Sequence, residues 1–239
     1  MNHISIGFDR AVSLAWLDLT AASVIDGMDQ GEARKQLLAQ LEDDLQGREA
    51  LEKTVLVLLR LWYPDKSLQG LRDSALALLR EIDAVDRTVV YWGMCLATYP
   101  FFRDAVAVVG RLSRLQPTIT APQVRKRLVE MHGDRAVIER ARRHIFQTML
   151  WWGILEKISA RGVYRLHERR TIRNTDLQRW LLAAALHAER RETLPLDTVT
   201  ALPELFPFDF TIEPVLLARD DRFDISTSAD RQLLVSLAL

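Results

Sequence analysis

Residues 118–167 constrain the fold of this chain more than any other stretch. They read as a short extended piece, a helix, a tight turn, a long basic helix and two strands. Thr120, with Gln123 three residues later, has the pattern of a capping box and predicts that a helix begins there. Gly133 suits a turn with positive φ, and Asp134 is predicted to cap the next helix. This order of elements is typical of a winged helix-turn-helix.

Hydrophobic periodicity indicates where the elements of this segment begin and end. It predicts three helices, over residues 100–116, 121–132 and 135–152. It also predicts two paired strands, over residues 154–158 and 163–167. The two strands would form the wing, with Arg161 at its tip. We expect Met131, at the end of the second helix, to be buried, and likewise Trp151 and Trp152 at the end of the third.

The rest of the chain is predicted to be largely helical. Five helices precede the segment, over residues 8–25, 30–45, 48–62, 67–82 and 87–98. After it, Asn174 or Thr175 caps one more helix. Short strands are expected over residues 210–217, 222–226 and 232–239, with the last two paired as a hairpin. The predicted fold class is mainly α: an N-terminal helical bundle (1–98), a winged helix-turn-helix (99–173) and a small strand-containing C-terminal region with one helix (174–239).

Positive charge is concentrated in the middle of the chain. The whole sequence has 32 Lys/Arg and 32 Asp/Glu, so its formal net charge is zero. Residues 121–173, however, hold 13 Lys/Arg against 5 Asp/Glu, whereas residues 1–100 hold 10 against 15 and residues 174–239 hold 6 against 11. A basic segment between acidic ends indicates an anionic partner that binds at the centre of the chain. Double-stranded DNA is therefore the predicted partner.

The predicted interface consists of basic and polar residues of the second helix, the third helix and the wing. A helix-turn-helix places its second helix, here the third of the segment, in the major groove and sets its first helix against the backbone. We therefore expect Arg135, Arg142 and Arg143 to face the groove, where arginine can read guanine edges. The cations of the other helix and of the wing are expected at phosphates. The predicted DNA-binding residues are Arg125, Lys126, Arg127, Arg135, Arg140, Arg142, Arg143, Gln147, Arg161 and Arg165.

The sequence contains no pattern typical of an enzyme. It lacks the phosphate-binding motif GxxxxGK[ST], the dinucleotide motif GxGxxG, and the HExxH, GxSxG and CxxC patterns. The five histidines do not have the spacing of metal ligands. Asp220, Asp221 and Asp224 are better explained as a polar turn before a strand than as a metal site. We therefore expect no enzymatic activity, no cofactor and no metal.

Composition and the N-terminal stretch bear on where the protein works. The single Cys95 lies in the apolar run WGMCLA, where we expect a buried hydrophobic residue, and one cysteine excludes an intrachain disulfide. The first 20 residues lack the basic n-region of a signal peptide. No run reaches the roughly 20 apolar residues that a membrane helix needs. We expect a cytoplasmic protein without a membrane partner.

In layout the chain resembles the BrxA family, small accessory proteins of bacterial BREX phage-exclusion systems. The resemblance lies in the segments ATYPFFRDAVAVV (97–109) and RRHIFQTMLWWGILE (142–156), which follow a helical N-terminal region. It covers roughly residues 10–166, and the strand-rich tail after Phe206 has no counterpart in it. The resemblance implies DNA binding within a phage-defence system, with other defence proteins as further partners and without an enzymatic activity.

Other interpretations of the same residues stay open. The arginines can form a solvated helix face, paired with Glu130, Glu139 and Glu156. The acidic, apolar-rich flanks and the long third helix also fit a scaffold subunit that grips a protein, as winged-helix subunits of SMC-type complexes do. A ligand-responsive transcription repressor is a third alternative, which requires an effector pocket and normally a dimer on a two-fold operator.

Overall fold

The structure, a computed structural model, describes residues 6–158, 162–189 and 193–238. It is mainly helical, with 59% helix and 11% strand, so the mainly-α class is confirmed. Among the described residues, none of the helices combines the length and the apolar character needed to cross a membrane.

The N-terminal part is a set of five helices. They are α1 (Leu14–Ile25), α2 (Gln30–Gln40), α3 (Arg48–Trp62), α4 (Gln69–Glu81) and α5 (Arg87–Thr98). The first begins later than predicted because Ser13 caps it and accepts a hydrogen bond from the backbone N–H of Trp16. Phe8 and Val12 are buried from an extended segment instead. The second ends earlier than predicted, and the chain turns through residues 41–44 before α3.

The middle of the chain alternates helices with a small sheet. Its elements are α6 (Pro100–Ser113), β1 (Thr118–Thr120), α7 (Ala121–His132), α8 (Ala136–Trp151), β2 (Leu155–Lys157) and β3 (Val163–Leu166). The strands form one antiparallel sheet in the order β1-β3-β2, with Ile119 opposite Tyr164 and Glu156 opposite Arg165. The predicted capping box of Thr120 and Gln123 is confirmed. The predicted hairpin strands are confirmed as well, with β2 shorter at both ends and β3 shorter by one residue at its C-terminal end.

Two local predictions in this part are wrong. Asp134 does not cap α8, because its carboxylate accepts a hydrogen bond from Arg125 at 2.6 Å. The N-cap of α8 is Arg135, which makes no capping hydrogen bond with its side chain. Met131 is 48% exposed rather than buried. In the last turn of α7 it is His132 that faces inward, with its Nε2 3.1 Å from a carboxylate oxygen of Asp104.

The C-terminal part adds one long helix and short elements. They are β4 (Arg170–Thr171), α9 (Thr175–Ala188), β5 (Leu194–Pro195), α10 (Leu196–Thr200), β6 (Phe208–Asp209), α11 (Pro214–Leu217), β7 (Phe223–Thr227) and β8 (Leu233–Leu237). Asn174 caps α9, and β7 and β8 pair as the predicted hairpin. The predicted strand over residues 210–217 is wrong, because Pro214 opens a short helix there.

The buried residues form one continuous core that draws on all three predicted segments. Trp92 of α5 packs against the rings of Phe102, Trp152, Phe206 and Phe208. Its indole N–H donates a hydrogen bond at 2.9 Å to the backbone carbonyl of residue 204. Cys95 is fully buried, as expected, and burial raises the pKa of its thiol. The division into three domains stays a prediction.

Gly110 allows α6 to pack directly on the turn at residues 203–205. A Cβ atom at this position would lie 1.9 Å from the backbone carbonyl oxygen of Pro203. We expect Gly110→Ala to lower the free energy of unfolding by about 3 kcal/mol or more, because a backbone atom cannot rotate out of the way. Urea denaturation followed by circular dichroism measures the change.

Gly70→Ala is the matched control, since nothing lies within 4 Å of a Cβ at that helical position. It is expected to leave stability unchanged or to raise it by up to about 1 kcal/mol. Equal stability of the two variants would contradict the close packing described for α6.

Candidate nucleic-acid interface

Helix α8 has one face in the core and one face toward solvent. Its residues Ile138, Ala141, Ile145 and Met149 are buried and anchor it. The opposite side presents Ala136, Arg140, Arg143, Gln147 and Trp151, which recur every three or four residues and so form one stripe. We call these five residues the α8 stripe. Within it Arg140 and Arg143 are exposed and Gln147 is half-buried.

Arg142 does not belong to this stripe, so the prediction that it faces the groove is wrong. It is only 5% exposed. Its Nη2 and Nε atoms donate hydrogen bonds to the two carboxylate oxygens of Glu139, at 2.6 and 3.0 Å. Its guanidinium carbon lies 5.0 Å from the ring centre of Phe146. The positive charge of Arg142 can be buried because the Glu139 carboxylate and the Phe146 ring face compensate for the loss of its hydration.

Glu139 is the acidic centre of the interface. Besides Arg142, its carboxylate lies 3.9 Å from Nε of Arg125 and 4.0 Å from Nε of Arg143. The hydrogen bond from Arg142 is the main cause that lowers the pKa of Glu139, and the charges of Arg143 and Arg125 add to it. One carboxylate therefore offsets part of the positive charge of three arginines.

Three further predicted cations are exposed but paired within the chain. Arg127 pairs with Glu130 at 2.9 Å, and Arg165 pairs with Glu156 at 3.1 Å across the sheet. Arg125 is held by Asp134, as described above. The partners expected for a solvated helix face, Glu130, Glu139 and Glu156, are thus all observed in ion pairs. Exposed pairs of this kind contribute about 0–1 kcal/mol, so phosphate oxygens can replace the carboxylates at little cost.

The other predicted residues have differing environments. Lys126 is exposed and makes no ion pair with any residue of the described ranges. Arg135 is half-buried, and its side chain already interacts with another group of the protein. Arg161 lies outside the described residues. The cations that the structure leaves most available are therefore Lys126 on α7 and Arg140 and Arg143 on α8.

The structure also brings Arg10 to this region, which the sequence did not indicate. Burial is the main cause that lowers the pKa of His144 on α8, and the positive charge of Arg10 is the next largest. Arg143 and Arg140 lower it further, so all three cations lie in the neighbourhood of His144. The Arg10 side chain is only 16% exposed and sits in the extended segment before α1. Only the packing of that segment against α8 could reveal it.

The surroundings of the α8 stripe offer no metal centre. Within the part of the chain that the structure describes, no group of three or more His, Cys, Asp or Glu residues is placed to hold a metal ion. Asp220, in the polar turn before β7, accepts hydrogen bonds from Arg222 and Arg179. The hydrogen bond from Arg222 is the main cause that lowers its pKa to about 2. Its carboxylate therefore stabilises the turn before β7.

A groove of about 600 Å³ opens beside the start of α8. It is lined by the extended N-terminal segment, by α3 and by Val137. Its charged lining has both signs, with Lys53 and Arg60 against Asp9 and Asp65. The groove is the kind of concavity that the repressor alternative requires, but this mixed lining singles out no ligand.

Comparison of the chain with protein-family models, with curated proteins and with solved structures finds no match in any of the three.

The difference between Arg142 and its neighbour Arg143 can be tested by stability. We expect Arg142→Met to lower the free energy of unfolding by about 2 kcal/mol, because Glu139 loses its main partner. This is less than the 3–5 kcal/mol typical of a fully buried pair, since the Glu139 side chain is 34% exposed. Arg143→Met is the control and should change stability by less than about 0.5 kcal/mol. Urea denaturation of both variants measures the two effects, and a larger loss for Arg143→Met would contradict the assigned burial.

Proposed function

We propose that the protein is a non-enzymatic DNA-binding protein of the winged helix-turn-helix type. The observation that carries the proposal is the α8 stripe, which presents Arg140 and Arg143 on the second helix of a helix–turn–helix pair. The order α6-β1-α7-α8-β2-β3 and the strand order β1-β3-β2 support the winged type. A single helix fits the major groove of B-DNA, which is about 12 Å wide.

In this proposal the residues of the interface have separate roles. Arg140, Arg143 and Gln147 of the α8 stripe enter the groove, and Lys126 on α7 contacts the phosphate backbone. Arg142 is a positioning residue, because it holds Glu139 and does not reach solvent. Arg125, Arg127 and Arg165 exchange their carboxylate partners for phosphates when DNA binds.

We further propose an accessory role in bacterial phage defence, in the cytoplasm. The resemblance of residues 97–109 and 142–156 to the BrxA family supports it. In such a role DNA is the first partner, and other proteins of the defence system are the next. Sequence-tolerant binding is expected, because most of the assigned contacts, those of Lys126, Arg125, Arg127 and Arg165, go to phosphates, which carry no base information.

The proposal is tested by reversing the two exposed arginines of the α8 stripe. We expect Arg140→Glu with Arg143→Glu to weaken binding of a short labelled duplex by at least about tenfold, because two phosphate or base contacts become repulsive. The slope of log affinity against log salt should become shallower by about 2. Fluorescence anisotropy at several salt concentrations measures both quantities.

Lys66→Glu with Arg80→Glu is the matched control, since it makes the same change in net charge at exposed positions outside α7 and α8. It should weaken binding by less than about threefold. Equal losses in the two double variants would show that only net charge matters. No binding by the unchanged protein at low salt would refute the proposal itself.

A further inference from the structure

The α8 stripe ends on an exposed tryptophan. Trp151 is 49% exposed, whereas its neighbour Trp152 is buried, so the expectation that both lie in the core holds only for the second. The Trp151 ring packs edge-on against Trp16 of α1, with 5.7 Å between the ring centres and 78° between the planes. Trp16 therefore supports part of the Trp151 side chain, and about half of that residue remains open to solvent. Exposed tryptophan of this kind is common at the centre of protein interfaces.

The turn bonded to Trp16 carries more carboxylates than cations, although Lys35 and Arg48 line a groove with Glu42. The indole N–H of Trp16 donates a hydrogen bond at 2.9 Å to a carboxylate oxygen of Asp44. Asp44 belongs to the exposed run Glu42-Asp43-Asp44, which we call the acidic turn. Helices α2 and α8 both end at this surface, and neither has a basic residue in its last turn. The partial negative charges of two helix C-termini therefore add to three carboxylates.

This end of the stripe is electrostatically separate from the arginines. Eight residues of helix, or about 12 Å, separate Trp151 from Arg143, the nearer arginine of the stripe, along the axis of α8. The screening length at physiological salt is about 8 Å, so the two ends act independently. Phosphate is repelled at the acidic turn, whereas a cation is attracted. DNA contact is thus assigned to the part of the stripe from Arg140 to Gln147, and Trp151 is available to another ligand.

We propose that Trp151 and the acidic turn form a docking surface for an arginine-bearing segment of a partner protein. A guanidinium group can lie over the exposed indole face while the carboxylates of Glu42 and Asp43 bind its N–H groups. Tryptophan is the best cation–π acceptor among the side chains, and the guanidinium loses less hydration than an ammonium group does. This surface does not depend on DNA binding, because its residues are distinct from the cations of α7 and α8.

The test uses the full chain with isotope-labelled tryptophan, and the probe is the capped peptide Gly-Arg-Gly-Arg-Gly. The indole N–H resonance of Trp151, assigned with Trp151→Phe, is expected to shift and saturate as the peptide is added. The matched peptide Gly-Gln-Gly-Gln-Gly should leave it unmoved. An absent shift, or an equal shift with both peptides, overturns the proposal.

A charge variant separates specific docking from general attraction. Glu42→Gln with Asp43→Asn spares the bond between Asp44 and Trp16, and it should weaken peptide binding by about fivefold. Glu81→Gln with Asp83→Asn removes the same charge from exposed positions at the end of α4 and in the turn after it, and should leave the affinity unchanged. Equal weakening in the two variants overturns the assignment of the acidic turn.

The other occupant to distinguish is a second copy of this chain. Sedimentation velocity at the concentration used for the titration is expected to give a monomer with and without Trp151→Ala. A dimer that Trp151→Ala dissociates would assign the surface to self-association and overturn the proposed partner.

Discussion

The edge-on packing of Trp92 against four aromatic rings ties the parts of this molecule together. The rings come from α6, from the end of α8 and from the tail, and the indole N–H closes a hydrogen bond to the same tail. An aromatic side chain of this size buries roughly 150–250 Å² of surface, so it dominates the packing around it. The end of α8 is therefore held by the N-terminal helices on one side and by the tail on the other. This packing around Trp152 fixes which face of α8 is exposed, and so fixes the orientation of the α8 stripe.

Helix α8 has a buried face and an exposed face, and adjacent residues of the helix can lie on different faces. Arg142 is buried with Glu139, whereas Arg143, one residue later, is exposed. The same division places Trp152 in the core and Trp151 at the surface. As a result, fewer arginines of the helix reach solvent than its sequence contains. The two proposals of a DNA surface and of a docking surface place different ligands on the two ends of this one helix.

Much of the architecture was predictable because it depends on local chemistry. Proline at positions 64 and 100 ends α3 and α5 where the sequence predicted, since the residue before proline disfavours helix. The capping box at Thr120 and the alternation of β2 and β3 were recognisable for the same reason. The exposed cations Arg140 and Arg143 followed from helical spacing. By contrast, the ion pair of Asp134 with Arg125, the helix at Pro214 and the approach of Arg10 to α8 depend on contacts between distant residues.

The sequence by itself determined the helical class, the order of elements over residues 100–166 and the concentration of positive charge at the centre, because propensity, capping and charge are properties of neighbouring residues. Only the tertiary structure decided which of those charges reach solvent. Arg142 and Arg143 have the same side chain, but Arg142 lies on the packed side of the helix, where Glu139 accepts its hydrogen bonds and the Phe146 ring covers it, whereas Arg143 faces solvent. The contact of Trp151 with Trp16 of α1, and of Trp16 with Asp44, likewise joins residues that are distant in the sequence.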